Sequence, residues 1–561
     1  MGRRFFTKVL SLCLVTCLMV TLFAGCKKEA EEKTTAKDNT SKEKVSEEEY
    51  DPLGKYEEPV TVTVALRTAG TNQVPFKGSM WDKKFQEYGI NVEVAWSADA
   101  SQYDNRLNTC IASGDIPDLL GSISAQPMST LVRGDMIYDV GELFQYLSPT
   151  NEKWLLTGAG ADAIDSVTID DKVCIIPGNV TELINNCFPL FIRKDWLDNL
   201  GLPIPKTIED FKNVALAFTK DDPNKNDKDD TYGLTIMGQS NMIVDWGGLY
   251  GFFGGYGVQP CAWYDGMLFY SKDSNGNAVW DGTRPEVKEG LQLLQDLYAE
   301  DAIAKDFPTM DGVKVMEDLN GGKAGMVFGV RGLPMWAINK TILNDPEAEW
   351  YAMNMPTKDG SEAPIFAFQP VNTGFAISKN CDHPEAIIKM LNIVTAMTDA
   401  ESPLFDPDYR DTQKAGNWVI HIEDPAYERT SNETLFEALK KEDKTNIDKY
   451  MEDNYDKIME YMDTKDPELW RWWNSYYPEE GHAWYLTFGL NKPDMIKKNV
   501  WWALPTDSML SYLPIYKKMA EETMTKIITG NADVSEWDKM VEEWNKLGGD
   551  KITKEVQDSL K

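Results

Sequence analysis

The chain has 561 residues, of which 42% are hydrophobic and 11% aromatic, and a formal net charge of −33 at pH 7. That charge argues against nucleic acid as a partner and against charge-driven binding to anionic lipid. Roughly 500 residues lie beyond a polar N-terminal stretch, enough for two or more domains.

Arg3, Arg4 and Lys8 form a positive head, residues 9–24 are mostly apolar, and Ala24 and Gly25 precede Cys26. The apolar run falls short of the roughly 20 residues of a membrane helix, and the layout is that of a secretory signal peptide. LFAGC (22–26) resembles a bacterial lipobox, although Phe23 stands where Leu is usual. The resemblance implies cleavage before Cys26 and its lipidation, with the protein held at the outer face of the cell membrane. Two acyl chains give stable anchoring. Residues 27–57 are dominated by Lys, Glu, Thr, Ser and Asp, a composition that buries too little apolar surface to fold and reads as a tether. Residues 1–57 carry ten Lys/Arg and ten Asp/Glu, so the whole net charge falls on residues 58–561.

VTVTVALR (60–67) alternates β-branched residues and predicts a strand. An amphipathic helix is expected over 76–89, ended by Gly89, then a strand over 90–96, a helix over 101–115 and a strand over 116–124. This alternation is the doubly wound α/β pattern, in which ligands bind beyond the carboxyl ends of the strands. Those ends supply Arg67, Asn72, Asp99, Ser124 and Gln126 as candidate ligand residues. Residues 187–218 predict a strand, a short helix, a Gly-x-Pro-x-Pro turn and a helix capped by Thr207 with Asp210 three residues on. A helix over 284–301, a glycine-bounded strand over 321–332, and strand, strand, helix over 349–394 come next, and from about Ser431 the chain reads as mainly helical.

ASGDIPDLL (112–120), LFIRKDWLDNLGLPIPKTIEDF (190–211), DDPNKNDKDDTYGL (221–234), GGKAGMVFG (321–329), NTGFAIS (372–378) and the tail from Lys526 to Ile552 stand in an order that resembles the family 1 extracellular solute-binding proteins. These are the sugar-capturing lipoproteins of ABC importers, and the likeness is to the subgroup with LplA-type and alginate-binding members. The resemblance implies an α/β, two-lobe periplasmic-binding-protein-like fold of class II type. Its lobes are joined by hinge segments that close on ligand, and it ends in a helical C-terminal extension. The expected division is 1–25 leader, 26–57 tether, 58–187 first lobe with about 378–430 returning to it, 188–377 second lobe, and 431–561 packing on both. It implies no catalysis, a sugar or oligosaccharide ligand, and a permease as partner; a monomer is the default.

In DDPNKNDKDDTYG, counting Asp222 as position 1 puts oxygen-bearing Asp222, Asn224, Asn226 and Asp230 at positions 1, 3, 5 and 9. Lys228 stands at position 7, able to offer its backbone carbonyl. That is the alternating spacing of a calcium loop. Asp227 replaces the usual Gly and Gly233 the usual terminal Glu, so spacing alone leaves a solvated acidic turn equally open. Family members place structural Ca²⁺ on such a loop.

Aromatic residues pack in cores by default, but a sugar cleft needs a few flat rings with polar groups at their edges. Asp245, Trp246 and Tyr250 stand in a glycine-rich aromatic stretch, with Trp246 and Tyr250 four apart, the spacing of one helix face. Arg331 and Trp336 come after the GMVFG strand, and Asn372 and Phe375 sit where the chain is expected to recross between lobes. RWWNSYYPEEGHAW (471–484) and VWWALP (500–505) fit either a cleft wall or the core of the helical tail.

No HExxH, GxSxG or GxxxxGK[ST] motif occurs, and GAGADA (158–163) is preceded by no clear strand. Ninety carboxylates leave a glycosidase-type acid pair open. A secreted carbohydrate-active enzyme is therefore the main alternative, with a binder of peptides or another nutrient as the third. Beyond the leader, Cys110, Cys174, Cys187, Cys261 and Cys381 are odd in number and lack CxxC spacing. Most read as buried small hydrophobes, with a Cys174–Cys187 bridge an unfavoured option.

Overall fold

The computed structural model describes residues 50–561 other than 69–73, 100–101, 181, 240, 244–245, 261–266 and 372. Before Lys55 the described residues form one turn, in which the Leu53 N–H donates to the Asp51 carboxylate and the Gly54 N–H to the Asp51 carbonyl. From Lys55 onward the principal strands run β1 Val60–Thr68, β2 Ile90–Asp99, β3 Leu119–Ser124, β4 Ile176–Pro177, β5 Leu190–Arg193, β6 Tyr232–Leu234, β7 Ala324–Phe328, β8 Trp350–Met353, β9 Ile365–Ala367, β10 Thr373–Ile377 and β11 Ile496–Lys498.

They form two main sheets. The first has the order β2-β1-β3-β10-β4, with β1 parallel to β2 and β3, and β10 antiparallel to β3 and β4. The second has the order β8-β5-β7-β6, with β6 and β7 parallel and β5 antiparallel to both β7 and β8. β10 falls within the second-lobe span expected from sequence, yet it is a member of the first sheet. Its backbone pairs with Leu119–Ser124 on one side and Ile176–Pro177 on the other. β9 pairs with β11, a strand not expected in the helical tail.

Each sheet carries its own core. Leu107, Ile111, Leu120, Ile123, Met128 and Leu131 pack the helices Tyr103–Ser113 and Ala125–Arg133 on the first. Phe191, Trp196, Phe218, Phe328 and Trp350 build the second, which extends into Met524, Ile527, Trp537 and Trp544 of the C-terminal helices. Fully burying such a side chain contributes about 1.5–3 kcal/mol. In the expected capping box, Thr207 Oγ1 accepts from the Asp210 N–H (3.1 Å) and Asp210 Oδ2 from the Thr207 N–H (3.0 Å).

Residues 178–189 join β4 of the first sheet to β5 of the second, and the chain returns from β8 of the second sheet to β10 of the first by way of β9. A further stretch touches both halves. Asn499 Nδ2 donates to the Leu268 carbonyl (3.0 Å), Trp502 Nε1 to that of Asp162 (3.1 Å), and the Pro505 carbonyl accepts from Ser129 Oγ (2.9 Å).

Candidate ligand cleft

The carboxyl ends of the parallel strands carry the candidate ligand residues on each half. On the first, Arg67 and Asp99 are exposed at the ends of β1 and β2. A pocket of about 360 Å³ lies beside them, lined by Leu66, Arg67, Thr68, Phe76, Ser97 and Asn417 among others. Ser124 ends β3 and precedes the helix Ala125–Arg133; its Oγ donates to Asp104 Oδ2 (2.9 Å), and Gln126 is exposed in the first helical turn. The Tyr103 hydroxyl donates to the Gly121 carbonyl (2.7 Å), pinning the last turns of this edge.

The segment 416–421 crosses β3 there. A Cβ on Gly121 would lie 3.2 Å from the Val419 carbonyl oxygen, so glycine admits the close approach. Trp418 and His421 of this segment meet with ring centroids 4.4 Å apart, and Phe375 of β10 lies 5.8 Å from His421. Burial pushes the His421 imidazole down to about 4, so it is neutral at pH 7, and its Nδ1 is buried without a hydrogen-bond partner. Phe375 itself is buried.

On the second half, Trp246 and Trp336 meet edge to face at 4.8 Å. Trp246 is half-buried, whereas Trp336 is 43% exposed, a large ring facing solvent. The Gly247 N–H donates to the Phe328 carbonyl and its carbonyl accepts from the Met237 N–H, both at 2.7 Å, fixing this loop to the end of β7. The helix-face expectation for Trp246 and Tyr250 does not hold. Gly247 takes φ +71° and the helix begins only at Tyr250, so the two rings part company. Tyr250 turns into the core against Phe188 (4.5 Å), and its hydroxyl donates to the Phe366 carbonyl (2.9 Å).

Arg331 forms two 2.6 Å hydrogen bonds to Glu428, and Asn185 Nδ2 donates to the same carboxylate (2.7 Å). The guanidinium lies 4.3 Å from the Trp484 ring centre, and Tyr476 stacks on Trp484 at 5.3 Å. Trp484 is therefore buried packing. Neighbouring Arg429 bonds both oxygens of Glu182 at 3.0 Å and also Glu433. One helix, Tyr427–Lys441, thus grips the crossover 178–189 and the loop after β7.

In the acidic loop, Asp222, Lys225 and Asp227 take positive φ, curling the chain so that its side chains turn inward. The Asp222 carboxylate accepts from the Asn226 and Asp227 N–H groups (3.0 and 2.9 Å), and Asn224 and Asn226 amides donate to Asp230 (3.3 and 3.2 Å). Asn224 Oδ1 is buried and unpartnered. These oxygens, with the Lys228 carbonyl, fit a hard cation. Among the described residues no group of three His, Cys, Asp or Glu side chains gathers for a metal; two of the four side chains in this loop are Asn.

Asn72, Asp245, Asn372 and Cys26 lie outside the described residues. Cys110, Cys174, Cys187 and Cys381 are unbridged. GAGADA lies within the helix Gly158–Ser166, which is preceded by no strand. Sequence reasoning did not single out Trp418, Asn417 or Glu428. They lie in a returning segment with no periodic pattern, and only the small residue Gly121 in β3 hinted that another chain crosses it.

Residues 70–401 match the model of the bacterial extracellular solute-binding proteins. The chain belongs to that family. It is 32% identical over 240 residues to the polygalacturonan/rhamnogalacturonan-binding protein YtcQ of Bacillus subtilis, covering 42% of this chain and 44% of YtcQ. It is 31% identical over 252 residues to the lipoprotein LipO of the same organism, covering 44% of this chain and 45% of LipO. The chain thus spans under half the length of these relatives. An extracellular solute-binding protein from Bifidobacterium longum subsp. infantis superposes with a TM-score of 0.61 at 18% identity, over 89% of this chain and 97% of that one. The alginate-binding protein AlgQ2, solved without calcium ion, gives 0.57 at 15% identity over 90% and 99%. FusA of S. pneumoniae with kestose gives 0.55 at 17% over 89% and 98%. The fold is accordingly the two-lobe α/β fold of solute-binding proteins, with a helical C-terminal part.

Proposed function

We propose that this protein is the substrate-binding component of an ABC importer, taking a sugar or oligosaccharide between its halves and passing it intact to a membrane permease. The observation that carries the reading is an exposed ring, Trp336, held edge to face by Trp246 in the segment after β7. A flat ring receives the C–H face of a pyranose, and Arg67, Asp99, Ser124, Gln126 and Asn417 supply hydrogen bonds for hydroxyls. The names of YtcQ and of FusA with kestose support a carbohydrate.

The lobes divide as residues from 58 to about 177 with 373–430, and residues from about 190 to 367. Residues 431–561 brace both, and closure occurs about 178–189, 368–372 and the stretch near 499–506. A Ca²⁺ ion would be held by Asp222, Asn224, Asn226, the Lys228 carbonyl and Asp230, where it would stiffen the entry to β6. Cys26 carries the lipid, a reading the lipoprotein LipO supports, and residues 27–57 are the tether. The protein acts as a monomer and catalyses nothing. Thermal shift and calorimetry with a panel of mono- and oligosaccharides, with recovery of the ligand afterwards, test the proposal. Saturable stabilisation with intact ligand is expected; a cleaved ligand would make the protein an enzyme, and silence across the panel would end the carbohydrate reading.

A further inference from the structure

The two rings of the Trp246–Trp336 pair are held by one helix. Helix Gly312–Asn320 is firmly seated: its Val315 and Leu319 are fully buried, and Asp318 Oδ2 accepts from the Tyr232 hydroxyl of β6 (3.0 Å). At its first residue it meets Trp246. A Cβ on Gly312 would lie 2.9 Å from Trp246 Cζ2, inside the roughly 3.5–4.0 Å of packed carbon atoms. The indole therefore rests on the bare backbone of Gly312. The φ of Gly312 is not in the left-handed region, so the close approach of Trp246, and not the turn of the chain, calls for glycine there.

At its last residue the helix meets the segment that bears Trp336. Asn320 Nδ2 donates to the Ala337 carbonyl, one residue past the ring, and to the Met316 carbonyl, both at 2.7 Å. Asn320 Oδ1 accepts from Thr341 Oγ1 (3.3 Å), and its carbonyl accepts from Asn344 Nδ2 (2.8 Å). Trp336 ends a four-residue helix, Leu333–Trp336, and a single turn does not hold its own direction. That direction is imposed from outside, by the Asn320 bond beyond the ring and by the Arg331–Glu428 pair before it.

We infer that Gly312 and Asn320 are positioning residues for ligand binding: standing at opposite ends of one helix, they fix Trp246 and Trp336 at an interplanar angle of 88°, and that fixed arrangement sets the affinity for a sugar. The inference rests on the sugar-binding reading above. Both residues act through the rings. A binding constellation works only when held within about 0.5 Å and 10–20°, and a Cβ at position 312 shifts Trp246 on that scale.

The test uses the full chain in mild detergent, with Gly312→Ala, Asn320→Ala and Trp336→Ala. The indole pair gives an exciton band in far-ultraviolet circular dichroism, read as wild type minus Trp336→Ala and independent of any ligand. Calorimetric titration with kestose, maltotetraose and tetragalacturonate gives the affinities. Gly312→Ala should alter the band and weaken the best-bound probe about tenfold. Its unfolding midpoint should not fall, because Ala suits a helix better than Gly; a merely structural defect would lower midpoint and affinity together. Asn320→Ala should show the same loss of band and affinity. In the Trp336→Ala background each change should weaken binding less than about twofold further, since the ring it positions is gone. Full losses in that background, or an unchanged band or affinity in Gly312→Ala, would overturn the inference and leave the sugar-binding reading standing. Failure of every probe to bind the wild type would remove that reading and the inference with it.

Discussion

The Arg331–Glu428 pair lends itself to a double-mutant cycle, with Arg331→Met, Glu428→Gln and the double variant. Both substitutions keep approximate shape while removing the charge. Two charge-assisted hydrogen bonds of 2.6 Å join the side chains, which are 15% and 34% exposed. Breaking a fully buried pair costs about 3–5 kcal/mol, and an exposed pair is worth about 0.2–1 kcal/mol. This one lies between, so a coupling energy of about 1.5–2.5 kcal/mol is expected, in line with hydrogen bonds to charged groups. The cation–π contact with Trp484, worth about 0.5–1 kcal/mol, belongs to the Arg331 single variant and cancels from the coupling term. Asn185 also bonds the carboxylate, and Gln at 428 retains an oxygen for it. Urea unfolding monitored by tryptophan fluorescence gives the four stabilities, and the cycle isolates the pair. A coupling below about 0.5 kcal/mol would place the pair with solvent-screened surface bridges and refute its role in tying the loop after β7 to the helix Tyr427–Lys441.

Calcium at 100 times its dissociation constant should stabilise the chain by about 2.7 kcal/mol; Asp230→Ala should abolish that increment, and an equal rise in both proteins would refute the loop as the site. Tyr250→Phe should cost about 1–2 kcal/mol by stranding the buried Phe366 carbonyl, with sugar affinity unaltered; lost affinity at unchanged stability would make Tyr250 a ligand residue instead. Burial pushes the His482 imidazole down to about 4. Above pH 6.5 both folded and unfolded states are neutral there, but below it the unfolded state takes up a proton the native state refuses. Stability therefore falls as pH drops, by about 2 kcal/mol at pH 5 from this group. Denaturant unfolding of wild type and His482→Gln between pH 6.5 and 5 checks it, and parallel pH profiles would contradict it. Trp336→Ala should cost about 0.5–1.5 kcal/mol of stability through its lost edge-to-face pair with Trp246, and raise the dissociation constant for the bound sugar at least tenfold; calorimetry showing unchanged affinity would remove Trp336 from the site.

The fold was legible where signals are local. The β-branched alternation of 60–67, the Thr207–Asp210 box and the glycine-bounded strand before Arg331 each specify an element from a few neighbouring residues, and each stands close to its expected bounds. β10 was legible as a strand but not as a member of the first sheet, because membership depends on pairing with residues some 200–250 positions earlier. β11 was missed for a related reason. Ile496–Lys498 is short and ends in two lysines, and it becomes a strand through β9 more than 120 residues upstream. Trp246 and Tyr250 show the limit of periodicity: four-residue spacing implies a shared face only if the helix reaches both, and Gly247 at positive φ prevents it.

The candidate site residues follow from their place on the strands and not from their chemistry. Position at the end of a parallel strand is a topological property, so Arg67, Ser124, Arg331 and Trp336 could be named from the strand pattern. Whether a guanidinium there is available to a ligand is a pairing property. It depends on Glu428, 97 residues beyond Arg331, which Asn185 reaches across 243. Taken alone, Arg331 at a strand end suggests a partner for an anionic sugar. Bound to Glu428 and laid on Trp484, it becomes a strut between the loop after β7 and the helix Tyr427–Lys441. The residue that engages Arg331 therefore lies in the returning segment, where local pattern carries no signal.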